Sequence, residues 1–257
     1  MTRRIRNVVR KEWIAIAVTP SSLLFVVVIP LLLILQALFL VWLLPRFISP
    51  ELVSLFIEGK GELQQTDLFR LLLLSQFRFF VLLIPAMIAN TFATLSIVEE
   101  KLTRTLEPLL ATPVRTWELL AGKAISGVVP ALGITWASAG LFVLGATLLG
   151  WGDLLTIALD STWYLALFAL TPAVSVLSFV LGIIGSSRAS DAKSAQNLAV
   201  LVVLPIFALI GVQVTGLIRF TPLLTVLLTI GIGILDAAFL WLAVRLFARE
   251  SILIRWR

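Results

Sequence analysis

Long apolar stretches, separated by short polar and charged segments, dominate the pattern along this chain. A helix needs about 20 apolar residues to cross a hydrocarbon core of roughly 30 Å, and six stretches are long enough. The pattern therefore predicts an all-α polytopic membrane protein with six transmembrane helices in a single transmembrane domain over residues 1–257. The predicted spans are residues 22–44, 79–98, 124–149, 163–184, 198–218 and 223–247.

Composition narrows the function classes that fit this pattern. The chain is 60% hydrophobic and 13% charged, with a mean hydropathy of +1.09, whereas soluble domains carry about 25% charged residues. It has no cysteine and no histidine, which excludes disulfides, cysteine nucleophiles and histidine-based triads or zinc sites. The net charge of +6 does not indicate nucleic-acid binding, because the basic residues flank the apolar stretches instead of forming one patch.

The placement of lysine and arginine predicts the orientation in a cell membrane. With both termini cytoplasmic, fifteen of the 20 basic residues lie inside, as the positive-inside rule requires. We expect the first apolar stretch to be retained as an anchor, and residues 45–78 to be extracytoplasmic. Within that segment, residues 67–78 form either an outer-face helix or an extension of the second span. Trp42, Trp151 and Trp163 are expected near the outer interface.

The first twenty residues predict an amphipathic helix that lies in the membrane plane. Apolar residues recur at helical spacing while arginines occupy a different face, and Pro20 breaks the helix before the first span. The alternative is that residues 1–20 are only a basic, orientation-setting tail. The residues assigned to this membrane-interface helix are Arg3, Arg6, Val9, Arg10 and Trp13.

Residues 99–123 form a charged, proline-containing segment between the second and third predicted spans. Pro108 suits the first turn of a short helix and Pro113 ends or kinks it. Leu106, Leu109 and Leu110 would give that helix one apolar face. Such a face either inserts into a groove on a partner protein or packs back on the inner rim of the bundle.

This segment resembles the signature loop of the permease subunits of type-2 ABC exporters. That family carries E-K-x-x-G-T-L-E-x-L-L-x-T-P between its second and third spans, followed by E-[IL]-L-x-G-K. Arg104 departs from the pattern, because it stands where the family usually has a glycine. The matching residues are Glu100, Lys101, Thr105, Leu106, Glu107, Leu109, Leu110, Thr112, Pro113, Glu118, Leu119, Leu120, Gly122 and Lys123.

The resemblance implies that a separate ATP-binding subunit supplies the energy for transport. Two permease copies, expected to be identical, would each dock on a cytoplasmic ATP-binding subunit through a coupling helix. ATP and magnesium would bind to that partner, and this chain would bind no cofactor and no metal. It carries no phosphate-binding GxxxxGK[ST] loop and is not expected to be an enzyme. The expected coupling residues are Glu99, Glu100, Thr105, Leu106, Glu107, Pro108, Leu109, Leu110, Thr112, Pro113 and Val114.

Polar residues inside the predicted spans are candidates for a substrate path, because such residues in lipid usually face the bundle or line a pathway. We expect export of a hydrophobic or amphiphilic substrate, such as a drug, lipid or lipid-linked molecule, from the cytoplasm or inner leaflet. The alternatives are sodium or proton extrusion by a permease of the same class, and a standalone secondary carrier. Asp236 is either a packing residue bonded to a neighbouring hydroxyl or amide, or part of a cation path. The path candidates are Asn90, Thr91, Thr94, Gln213, Thr215 and Asp236.

Overall fold

The computed structural model describes residues 2–18, 20–47, 65–102, 116–188 and 220–246, and also 204–205, 207–208 and 211–212. The described residues form helices and turns, with no strand among them, so the all-α prediction is confirmed for this part of the chain. The helices are α1 (Thr2–Val18), α2 (Pro20–Leu43), α3 (Gln65–Leu102), α4 (Thr116–Leu148), α5 (Gly152–Ala158), α6 (Ser161–Leu165), α7 (Thr171–Arg188) and α8 (Pro222–Leu246).

Five stretches of the described residues are long and apolar enough to cross a membrane, so the chain is a multi-pass membrane protein. They correspond to the first four predicted spans and the sixth. The predicted fifth span, 198–218, lies outside the described residues except at a few positions, and the total of six stays a prediction. The five stretches are Val26–Arg46, Thr66–Ile97, Thr116–Leu148, Ser161–Ser186 and Pro222–Leu246.

Helix α3 is longer than the membrane is thick. Its 38 residues span about 57 Å at 1.5 Å per residue. Residues 67–78 are therefore a continuation of the second span and not a separate outer-face helix. At the other end α3 continues past the Glu99–Glu100 pair to Leu102, and α4 already begins at Thr116. Both ends of the predicted 99–123 loop are thus helical, and residues 103–115 lie outside the described part.

The long helix α3 forms the centre of the bundle, with two-thirds of its most apolar stretch buried. Two large apolar clusters lie along it, besides a smaller one. One gathers Ile88 and Phe92 of α3 with Phe179 of α7, and the other stacks Phe77 of α3 on Phe142 of α4 at 3.4 Å between ring centroids. In contrast, only 6% of the corresponding stretch of α8 is buried. A membrane helix with that much exposed apolar surface is suited to contact lipid or another subunit.

A wide π turn, Ala166–Leu170, joins α6 to α7 because proline follows it. Pro172 has no backbone N–H, so it cannot donate the hydrogen bond that a regular α-helix needs at this position. Its ring also disfavours a regular α-helical turn in the residues before it. Thr171 instead donates both its backbone N–H and its hydroxyl to the Ala166 carbonyl. The Leu167 carbonyl then accepts a hydrogen bond from the indole Nε1 of Trp136 at 3.2 Å. An α4 side chain thus satisfies a backbone group that could not be left unpaired in lipid.

The turn after α4 places two tryptophans in the core. Gly150 has a φ of +82°, and the backbone N–H groups of Gly150 and Trp151 donate to the carbonyls of Thr147 and Ala146. This is the Schellman arrangement that ends helices at glycine. Trp151 and Trp163 are buried in the apolar cluster around Phe77. Their packing on neighbouring helices is not revealed by hydropathy, and their depth near the outer interface stays a prediction.

Candidate coupling site

Five polar side chains from three helices meet at the end of the bundle where α3 ends and α4 begins. We call this group the interhelix ion cluster. It contains two lysines and two glutamates, so its formal charges cancel, and it is joined by one serine hydroxyl. Its members are Lys11 and Glu12 of α1, Ser96 and Glu100 of α3, and Lys123 of α4.

Lys123 is the centre of the cluster and only 1% of its side chain is exposed. Its Nζ lies 3.1 Å from Glu12 Oε1 and 2.9 Å from Glu100 Oε1, and it also donates to Ser96 Oγ. Two of the three N–H donors of the ammonium group hydrogen-bond to Glu12 and Ser96, and Glu100 adds an ion pair. A buried lysine is tolerated when it is paired and hydrogen-bonded in this way. Lys123 consequently ties α1, α3 and α4 to one point.

The two α1 members complete the network. Glu12 Oε2 accepts a hydrogen bond from Ser96 Oγ at 2.8 Å, and Lys11 Nζ lies 2.6 Å from Glu100 Oε1. Burial, the largest single influence, would raise the pKa of Glu12, but the charges of Lys123 and Lys11 and the hydrogen bonds from Ser96 and Lys123 together hold that pKa below its usual 4.5. Burial would likewise lower the pKa of Lys11, but the hydrogen bond and charge of Glu100 keep it above 10.5. Both shifts favour the charged forms of Glu12 and Lys11 at neutral pH.

Helix α1 can approach α4 closely because α4 has a glycine at the contact. A Cβ placed on Gly122 would lie 2.9 Å from Val8 Cβ, which is closer than real Cβ atoms come. One residue further along α4, Lys123 forms an ion pair with Glu12. The indole N–H of Trp13 donates a hydrogen bond to the backbone carbonyl of Ser126 at 3.1 Å. Three successive contacts, one steric and two polar, therefore fix α1 on the first turns of α4.

The cluster brackets the predicted coupling loop. Glu100 lies two residues before the end of α3, and Lys123 lies in the second turn of α4, so their 2.9 Å contact closes the base of residues 103–115. Of the predicted coupling residues, Glu100 is buried in the cluster and Glu99 lies in α3. Thr105, Leu106, Glu107, Pro108, Leu109, Leu110, Thr112, Pro113 and Val114 lie outside the described residues.

The predicted path residues do not form one group in the described part. Asn90 and Thr94 lie one turn apart on α3 and are buried, with Asn90 Oδ1 2.7 Å from where a Cβ of Gly182 would be. Thr91 is half-buried and its hydroxyl donates to the Met87 carbonyl. Asp236 is half-buried on α8, and within the described residues its Oδ1 is buried without a hydrogen-bond partner. Gln213 and Thr215 lie outside the described residues.

The predicted interface residues of α1 divide between two surfaces. Arg3, Arg6 and Arg10 are exposed, and Val9 is half-buried. Trp13 has 46% of its surface exposed although its indole N–H is bonded to α4. The arginine face is therefore free, and the opposite face is occupied by α4.

Sequence reasoning found parts of the cluster but not the cluster itself. The sequence shows Glu100 and Lys123 only as members of the loop motif, Lys11 only as a basic residue that sets orientation, and Ser96 only as part of the polar cytoplasmic half of the second span, while Glu12 has no predicted role. The available signal was Glu12, the single acidic residue in an otherwise basic helix. A lone acid there suggests a specific partner, although it does not say which one.

These features define a class: a helical, multi-pass membrane protein in which a buried network of ion pairs and hydrogen bonds joins three helices at one end of the bundle. The family model for the ABC-2 family transporter protein matches residues 6–226 of the chain. The chain thus belongs to the ABC-2 transporter family, which makes it an ABC-type permease. The matched range includes every member of the interhelix ion cluster and the loop between α3 and α4. A comparison with curated proteins gave no match.

Proposed function

We propose that the chain is the transmembrane permease of an ATP-binding-cassette exporter and works as a homodimer with two cytoplasmic ATP-binding subunits. Membership of the ABC-2 family supports the permease role. The structural observation that carries the coupling role is the contact of Lys123 with both Glu12 and Glu100 at the base of residues 103–115. ATP and magnesium bind to the partner subunit. Residues 103–115 act as a coupling loop that transmits the partner's conformational change to the helices.

The ion cluster joins the three helices at the base of this loop, so that they move together. The ion pairs of Lys123 are short and shielded from water, so moving Lys123 away from both carboxylates would leave its buried charge uncompensated. A push on the loop is therefore passed to α1, α3 and α4 together instead of being absorbed at one flexible joint. Helix α3 carries the movement onwards, because it runs from Glu100 through both apolar clusters to the far end of the bundle.

We propose a hydrophobic or amphiphilic substrate, such as a drug, lipid or lipid-linked molecule, moved out of the cytoplasm or inner leaflet. The described spans carry few charged groups, and several of their buried hydroxyls, such as those of Thr135 and Ser178, donate to a carbonyl of their own helix. A path for sugars or ions needs more fixed polar groups than this. Helix α8 in contrast presents a long apolar surface, with Leu223 and Ile234 about two-thirds exposed or more. An amphiphile can keep its apolar part against such a surface.

The coupling role is tested by placing charges on the predicted apolar face of the loop. Leu109→Asp with Leu110→Asp should abolish co-purification of ATPase activity with the tagged chain in a mild detergent, because two carboxylates prevent insertion into an apolar groove. The matched control is Phe47→Asp with Leu149→Asp, which adds the same charge at exposed apolar positions near the opposite end of the bundle. Retained ATPase binding by the loop variant would overturn the assignment. Absence of any ATP-binding subunit from the wild-type sample would favour a standalone carrier.

A second candidate, extrusion of sodium or protons by the same class of permease, is favoured by Asp236. It is an acidic residue inside a span, and within the described residues its buried Oδ1 has no hydrogen-bond partner. Asp236→Asn keeps the shape but removes the charge. If Asp236 only packs, transport by the purified complex stays within about twofold of wild type. A variant that is monodisperse and binds its ATPase but has lost transport would favour cation extrusion.

A further inference from the structure

The outward face of α1 forms a basic groove that the coupling role does not use. Arg6 and Arg10 lie one turn apart, and Trp13 and Ile14 follow on the same side, at the spacing of a helix face. Together with Val9 they line an open groove of about 440 Å³. The opposite face of α1 is already filled, because Val8 and Glu12 contact α4.

The groove carries uncompensated positive charge. Arg6 and Arg10 are exposed, and within the described part of the chain no carboxylate pairs with either of them. The nearest acid along the helix, Glu12, points to the other face and is held by Lys123. Arg3 adds a third exposed positive charge to the same side of α1. An occupant of this groove must therefore supply negative charge.

The groove also changes character along the helix. Its arginines come first, and its large apolar side chains, Trp13 and Ile14, are 46% and 55% exposed one turn later. Trp13 is anchored to Ser126, where α4 enters its apolar stretch, so the apolar end of the groove is the end nearer the spans. The gradient runs from anion-binding guanidinium groups to apolar surface, which is the polarity of a phospholipid from headgroup to acyl chain.

We propose that this groove of α1 binds an anionic phospholipid, with Arg6 and Arg10 on the phosphate and Trp13 and Ile14 against the upper acyl chain. The guanidinium fork matches phosphate oxygens with two parallel N–H donors, and tryptophan is favoured at this depth of the membrane. Since α1 is joined through Glu12 to the ion cluster, a bound lipid would hold in place the helix that lies against the base of the coupling loop.

The test is the lipid retained by the purified full-length chain. Native mass spectrometry compares added phosphatidylglycerol with phosphatidylcholine of the same acyl chains. We expect wild type to prefer the anionic lipid and Arg6→Gln with Arg10→Gln to lose that preference, by about fivefold for one arginine and more than tenfold for both. Raising the salt from about 0.1 M to 0.5 M should weaken the wild-type preference and leave the variant unchanged.

The control variant removes the same charge elsewhere. Arg46→Gln with Arg245→Gln also removes two arginines, but each of these is already stacked 3.7 Å from a tryptophan ring centroid. It should keep the lipid preference of wild type. Equal retention of both lipids by wild type would overturn the proposal, as would an unchanged preference in the α1 variant. If the α1 variant instead loses a co-purifying ATP-binding subunit while its lipid preference is unchanged, the groove is a protein-docking surface. None of the lipid measurements needs a partner, so their failure leaves the permease assignment intact.

Discussion

At the scale of single residues, Lys123 shows how a charge is accommodated at the end of a membrane bundle. Only 1% of its side chain is exposed, yet its ammonium group meets two carboxylates and a hydroxyl. Lys11, which is half-exposed, adds the second positive charge that balances Glu12 and Glu100. The balance matters more than any one contact, because a buried ion pair contributes little net stability while an unpaired buried charge costs several kcal/mol.

This balance predicts the outcome of a double-mutant cycle. Lys123→Met leaves two carboxylates with the half-exposed Lys11, and should cost about 3–5 kcal/mol, or roughly 10 °C in the unfolding midpoint. Glu12→Gln leaves a surplus positive charge and should also destabilise the chain. The combined variant leaves Lys11 and Glu100 as a neutral pair 2.6 Å apart, so its loss should be smaller than the sum by about 1–3 kcal/mol.

The measurement is the fraction of purified chain that stays monodisperse after heating in detergent. Lys11→Met is the matched control, because it removes the same type of charge from a position that is 49% exposed and should cost less than Lys123→Met. Additive losses in the combined variant would mean that Glu12 and Lys123 do not interact, and the ion cluster would then have no role as a unit.

The sequence could supply the members of this site only in part, for a physical reason. Glu100 and Lys123 could be found because they lie in one loop motif. Their link to Glu12 could not, because it joins positions that are 111 residues apart and depends on how α1 lies on α4. Asp236 illustrates the same limit, since its sequence position leaves open a hydrogen-bonded packing role and a cation path, and among the described residues its Oδ1 has no hydrogen-bond partner.

At the scale of elements, the contact between α1 and α4 depends on the absence of a side chain at Gly122. Val8 fills the space that a Cβ would need, and its own Cβ and Cγ1 both lie 2.9 Å from that position. Since these atoms are close to the α1 backbone, they cannot swing away, and the helix itself must move. The same helix has another glycine, Gly133, where an added Cβ meets nothing within 4 Å.

Alanine substitutions at these two glycines should therefore act in opposite directions. Gly122→Ala should destabilise the chain by about 1–3 kcal/mol because it overpacks the contact with Val8. Gly133→Ala should be neutral or stabilising by up to about 1 kcal/mol, since alanine favours helix and the site is open. The readouts are thermal stability in detergent and the rate at which trypsin cleaves α1 at its arginines, which should rise only for Gly122→Ala. Equal behaviour of both variants would show that α1 does not rest on Gly122.

Hydropathy could predict the helices but not their ends. The helix α2, the stretch Ser161–Ser186 and the helix α8 coincide with predicted spans within a few residues, because a segment buried in lipid must form a helix to pair its backbone groups. The ends of α3 and α4 extend beyond the apolar stretches, to Leu102 and from Thr116. These polar turns are helical because they pack on α1, and such tertiary support has no hydropathy signal.

At the scale of the whole molecule, burial is distributed very unevenly. Helix α3 is enclosed by α2, α4 and α7, whereas α8 contacts the rest mainly through α7 and leaves most of its apolar surface open. The described part of the chain is thus asymmetric, with a packed side around α3 and an open side at α8. In a homodimeric permease, the open side is available to lipid, to a second copy or to an amphiphilic substrate.

The number of membrane crossings can be tested directly because the chain has no cysteine of its own. Single cysteines at exposed positions in α1, after α2 and at the start of α8 would replace Asn7, Phe47 and Pro222. With six spans and cytoplasmic termini, a membrane-impermeant maleimide labels Phe47→Cys and Pro222→Cys in intact cells, and labels Asn7→Cys only after permeabilisation. Four crossings separate Phe47 from Pro222 only if residues 198–218 also cross. Labelling of Pro222→Cys together with Asn7→Cys would instead show that these residues do not cross and that the chain has five spans.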